Sequence, residues 1–155
     1  MMPYTPEDHG SREAGPIAVS RETCPAASLM VEIGAGELID KITILRIKAE
    51  RIGDPARLAN VHYELAALDR ARQIHLPQHA ELQRLEGELM RINTQLWEIE
   101  DDIRACEKAR DFGPAFVALA RAVYKTNDRR AAVKKEINVL TGASIVEEKS
   151  YAASA

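Results

Sequence analysis

Residues 81–106 read ELQRLEGELMRINTQLWEIEDDIRAC. Within them Leu82, Leu85, Leu89, Ile92, Leu96, Ile99, Ile103 and Cys106 follow one another at alternating steps of three and four. A helix turns once in about 3.6 residues, so this spacing holds all eight side chains on one narrow face. The stretch therefore predicts a long amphipathic helix of about 40 Å, carrying a seam that a second helix must cover. Pro77 starts this helix, and Asp111-Phe112-Gly113-Pro114 breaks the chain after it.

Beyond that break a second long helix is predicted from about Pro114 to Leu140, ended by Thr141-Gly142. Its stripe is Phe116, Leu119, Val123, Thr126, Arg130, Val133, Ile137 and Leu140, with Thr126 and Arg130 as polar interruptions. An antiparallel pairing of the two helices sets Arg130 opposite Ile92 and Asn93, and Asn127 near Gln95 and Leu96. On the N-terminal side, Val31–Ile33 suits a short strand broken by Gly34 and Gly36. A helix follows from about Glu37, with Leu38, Ile42, Leu45, Ala49 and Ile52 on one face. Glu37, Asp40, Lys41, Lys48 and Arg51 are assigned to the opposite, solvated face. Asp54 and Pro55 start the next helix as N-cap and first-turn residue, and it runs to about Ile74 with Leu58, Val61, Leu65 and Leu68 on one side.

The fold class is thus all-α: an antiparallel helical bundle with a long central helical hairpin. One minimal two-stranded β pairing, of Ile145-Val146 with Val31–Ile33, is expected beside it. With 155 residues the chain is one domain. Residues 1–29 carry Pro, Gly and Ser throughout with no apolar period, and read as a disordered tail. Residues 30–151 form the helical domain, 152–155 a disordered C-terminus, and Met30 is expected to be an alternative start. Aromatic residues are 5% of the chain, so Leu and Ile must build the core.

The net charge of −3 gives the whole chain no electrostatic case for nucleic acid. No run of about 18 apolar residues exists to span a membrane. Two cysteines exclude a disulfide scaffold. The N-terminus lacks the basic and apolar regions of a secretory signal, so a cytoplasmic location is expected.

The richest polar stretch is the interruption of the last helix, where Lys125, Arg129, Arg130, Lys134 and Lys135 face only Asp128 and Glu136. A guanidinium on a seam needs an anion or acceptors, because burying it unpaired is costly. A phosphate or carboxylate ligand would supply them, with Asn93, Asn127, Arg130, Lys134, Asn138 and Lys41 as its binding set. Equally, Arg130 reaches solvent or pairs with a neighbouring acid. Glu37 with Asp40, and Glu98 with Asp101, place carboxylates at i and i+3, and opposed across a bundle they could hold Mg²⁺. The plainer alternative is surface ion pairing, Glu37 with Lys41 and Glu100 with Arg104. His75 and His79 are separated by Pro77, which breaks any shared helical face, so zinc is not argued. Trp97, the single tryptophan, lies beside the seam with Glu100, Asp101 and Arg104 on its flank; it is assigned to filling a gap in the bundle, the alternative being an anchor for the first helix pair or for a partner. The block Glu147-Glu148 is expected to fold back toward Arg130 or Lys134, or to remain solvated.

Four blocks carry a resemblance: GELIDKITILRIKAERI (36–52), LWEIEDDIR (96–104), LARAVYKTNDRRAAVKKEIN (119–138) and IVEEKSY (145–151). In this order they resemble an uncharacterised family of small helical bacterial proteins, a domain of unknown function, over about residues 31–151. The resemblance implies proximity to genes for cell-surface polysaccharide glycosyltransferases, and no activity or cofactor. The expected function is an accessory or binding module, of a lipopolysaccharide or capsule pathway, with an anion-binding patch on the last helix. Its expected partners are a pathway protein, an anionic small molecule and further copies of itself. The alternative is a small Mg²⁺-dependent or anion-binding helical enzyme acting on a nucleotide or sugar phosphate.

Overall fold

The computed structural model describes residues 29–145 and Glu148. They form four helices: α1 (Ala35–Arg51), α2 (Pro55–His75), α3 (Ala80–Ala109) and α4 (Pro114–Thr141). The all-α reading holds, and several boundaries have a local cause. Asp54 accepts a hydrogen bond from the Arg57 amide at 2.8 Å, and Pro55 opens α2. The His79 Nδ1 accepts from the Glu81 amide at the start of α3, at 3.2 Å. Arg110 at the end of α3 and Gly142 after α4 both adopt left-handed backbone, with φ of 54° and 65°, which turns the chain out of the helix.

The expected β pairing is absent among the described residues: Val31–Ile33 and Ile145 are irregular, and Val146 lies outside the description. The two segments do meet, but through side chains. Ser144 Oγ donates to Glu32 Oε1 at 3.0 Å. Residues 1–28 and 149–155, which include the tail and the C-terminal end of the sequence reading, lie outside the described residues.

The seam of α3 packs antiparallel on α4, and α1 lies against α2, α3 and α4. The core is Ile39, Leu82, Leu85, Leu89, Ile92, Val133 and Ile137. One face of α1 was too little to predict: Ile39, Asp40, Thr43 and Ile47 are buried as well as Leu38, Ile42 and Leu45. A helix wedged among three others has almost no solvated side, and this places Asp40 inside. By contrast α2 packs on α1 alone and buries only Val61 fully. Ion pairs tie it down further: Glu86 of α3 accepts from Arg46 of α1 and from Arg72 of α2, each at 2.6 Å.

The hairpin is covered unevenly. At 17 residues α1 is about 25 Å long, against about 45 Å for the 30 residues of α3. Toward the turn at 110–113, Leu96, Ile103, Cys106, Phe116, Leu119 and Val123 are only half-buried.

Candidate functional site

The first turn of α1 rests directly on the backbone of α4. A Cβ on Gly36 would stand 2.5 Å from the Lys134 carbonyl oxygen, so only glycine permits this approach. Its N–H, an orphan of the helix start, donates to Asn138 Oδ1 at 2.7 Å. Gly34, the N-cap, offers no side chain, so a residue 102 positions away performs the cap. The residue after Gly36, Glu37, pairs with Lys134.

Asp40 comes next and is 3% exposed. Arg130 Nε donates to its Oδ1 at 2.8 Å and Arg130 Nη2 to its Oδ2 at 2.5 Å, a bidentate fork. Asn93 Nδ2 donates to Asp40 Oδ1 at 2.8 Å and to Thr43 Oγ1 at 2.9 Å. Thr43 Oγ1 in turn donates to the Asp40 carbonyl at 2.8 Å. A buried carboxylate needs this many donors to offset its lost hydration. Together these groups lock α1, α3 and α4 into one register.

Past Asp40 a cleft of about 340 Å³ opens between the three helices. Ile44 and Leu96 give it an apolar floor, and Asn93, Asn127 and Arg130 stand at its inner end. Trp97, Glu100, Asp101 and Arg104 form the α3 wall. The helical spacing explains the place. On α3 the row Glu86, Asn93, Trp97, Glu100, Arg104 lies beside the seam, and α1 engages only Glu86 and Asn93. On α4 the row Val117, Ala120, Tyr124, Asn127, Ala131, Lys134, Asn138 runs at steps of three and four, and α1 engages only its C-terminal part. The cleft is where the groove continues and α1 does not fill it.

Of the expected anion set, Asn93, Asn127 and Arg130 meet at the cleft. Lys134 and Asn138 serve α1 instead, and Lys41 pairs with Glu64 of α2 at 2.6 Å. Arg130 takes the paired alternative, with Asp40 as an acid partner. The Mg²⁺ set is not assembled. Glu37 holds Lys134, Asp40 holds Arg130 and Glu98 holds Arg51, while Asp101 lines the cleft. Among the described residues no three His, Cys, Asp or Glu side chains converge as a metal site would require. The Glu100–Arg104 pair forms as expected, at 3.1 Å, whereas Glu37 and Lys41 choose partners on other helices. Glu148 does fold back, onto Lys135 at 3.1 Å rather than onto Arg130 or Lys134; Glu147 lies outside the described residues. Glu81 has its carboxyl held below the ordinary range by a hydrogen bond from Arg84, but that pair sits on the exposed first turn of α3.

Sequence reading missed Asp40 as the partner of Arg130; it grouped Trp97 with Glu100, Asp101 and Arg104, which line the cleft together. A signal for the Asp40 pairing was present. Gly36, Asp40 and Thr43 fall at steps of four and three on α1, a small and polar row matching the polar row of α4.

Residues 29–155 match a family described as a family of unknown function, DUF6165. Neither the curated proteins nor the solved structures give a match.

Proposed function

Since the chain belongs to this family of unknown function over residues 29–155, we propose from its geometry an accessory binding module that holds a small, polar, anion-bearing ligand in the α1–α3–α4 cleft. The observation that carries this reading is the cleft itself, whose inner end is preorganised. Asp40 and Asn93 fix Arg130 in one orientation, and its Nη1 is directed toward Asn127 Oδ1, at 3.5 Å, on the cleft side. Arg104 adds a second guanidinium on the opposite wall. Polar groups fixed over an apolar floor, and set on helices rather than loops, suit a small-molecule site. The pathway proposed is cell-surface polysaccharide assembly in the cytoplasm, which rests on the resemblance of the four polar blocks. A second copy of the chain is the proposed partner for the uncovered end of the hairpin, where Val117 and Tyr124 stand exposed.

A thermal-shift screen with sugar phosphates, nucleotide-sugars, nucleotides and dicarboxylates, with and without Mg²⁺, tests the binding. A ligand of the folded state raises the melting temperature by mass action. Arg104→Ala is the informative variant, because its side chain is 68% exposed and its loss leaves the fold intact. The shift is expected in the wild type and lost in Arg104→Ala. No shift at millimolar ligand overturns the reading, and Mg²⁺-dependent release of phosphate overturns its non-catalytic part. Sedimentation velocity of the wild type reports the second copy, and a monomer at every concentration removes it.

A further inference from the structure

We propose that the ligand of this cleft carries a primary ammonium group, seated on Trp97 against the Asp101 carboxylate; this rests on the cleft being a binding site. Beside the groups that meet an anion, the cleft walls present one carboxylate that has no ion-pair partner among the described residues. Arg130 is already matched by the fork on Asp40. Arg104 is matched by Glu100 at 3.1 Å. Asp101 is left, and it makes no ion pair among the described residues. It stands four residues after Trp97 on α3, and side chains at i and i+4 are neighbours on one helical face. Arg104, three residues further, bonds to Glu100 and makes no ion pair with Asp101. Glu98 and Asp102 flank the wall, and Glu98 is held by Arg51. No lysine lines the cleft.

An aromatic face beside a carboxylate is what an ammonium ion needs. The ring attracts the cation through its quadrupole, and the carboxylate accepts its N–H bonds. Arg104, on the same wall, can meet a hydroxyl or phosphate oxygen of the same molecule. The ligand is thus an amine with further polar groups, supplied either by an amino sugar or by an aliphatic polyamine.

Isothermal titration of the full chain with matched probes tests this. Glucosamine and glucose differ by the amine alone, N-acetylglucosamine removes its charge, glucosamine 6-phosphate adds an anion, and spermidine represents the aliphatic source. Glucosamine is expected to bind about tenfold tighter than glucose and N-acetylglucosamine. Asp101→Asn should abolish that preference with an unchanged melting temperature, and Asp102→Asn, on the adjacent exposed position, should keep it. A preference shown by spermidine and not by glucosamine assigns the aliphatic source. Equal binding of glucosamine and glucose, with no binding of spermidine, overturns the ammonium site and leaves the cleft reading standing. Equal loss in Asp101→Asn and Asp102→Asn also overturns it, since the effect is then a diffuse surface charge. If neither these probes nor the sugar phosphates bind, both readings fail.

Discussion

The two halves of the α3–α4 hairpin share one repeat and meet different surroundings. At the base, Leu85, Leu89, Ile92, Val133 and Ile137 are almost wholly buried, because α1 lies over the seam. Toward the turn, Ile103, Cys106, Phe116 and Val123 sit in the same repeat and remain half-buried. Phe112, Val117 and Tyr124 there are 52%, 44% and 54% exposed. Heptad spacing states that a face is apolar; it does not state how many neighbours will cover it. The third neighbour is placed by the polar row of Gly36, Asp40 and Thr43, and the cleft opens where that row ends.

The largest expected effect is at the polar lock. Asp40→Ala removes the bidentate carboxylate from the Arg130 guanidinium and one acceptor from the Asn93 amide, and should cost about 3–5 kcal/mol. Asp101→Ala, a carboxylate of the open half, should stay within about 0.5 kcal/mol. Urea denaturation measures both; similar values would erase the distinction between the halves.

Apolar truncation should grade along the seam. Leu89→Ala, at 0% exposure, is expected to cost about 2–5 kcal/mol, and Ile103→Ala less than half of that. Leu96→Ala, partly buried against the core, should fall between them. An Ile103→Ala cost equal to that of Leu89→Ala would mean that the outer half is covered, as a second copy would cover it.

Two glycines sharpen the contrast further. Gly36→Ala forces a methyl onto the Lys134 carbonyl, and should destabilise by about 1–3 kcal/mol. Gly87→Ala on α3 meets nothing within 4 Å, and should stabilise by about 0.5–1 kcal/mol through helix propensity. Opposite signs in thermal melts are the expected outcome, and a harmless Gly36→Ala would show that α1 does not sit on α4 as described.

The smallest effect belongs to exposed pairs. Lys41→Ala removes a contact to Glu64 between side chains 57% and 43% exposed, and should change stability by less than about 1 kcal/mol. A larger loss would mean that α2 depends on this pair rather than on Arg46, Arg72 and Glu86.

Much of the framework was legible. Asp54-Pro55, the break at 111–114 and Thr141-Gly142 marked helix ends, because caps and turn residues act on their own neighbours. The antiparallel hairpin followed from its short connection, and it brought Arg130 and Asn93 to the same level, where both now bind Asp40. Half of the candidate set reached the cleft for that reason. Lys41, Lys134 and Asn138 did not, because each found a partner on a helix whose position the hairpin does not fix.

The sequence by itself determined the four helices, several of their ends and the seam that joins α3 to α4, since periodicity and local capping act between near neighbours; α3 nonetheless starts at Ala80, behind a His79 cap, and not at Pro77. Only the tertiary structure decided where α1 lies. That choice buried Asp40 and gave it an arginine 90 residues away. It made Asn138 a helix cap, kept Val31–Ile33 and Ile145 from pairing as strands, and left Trp97, Asp101 and Arg104 around an open cleft. A helical repeat fixes which side chains share a face; which face meets which depends on the shape and hydrogen bonding of residues far apart in the chain.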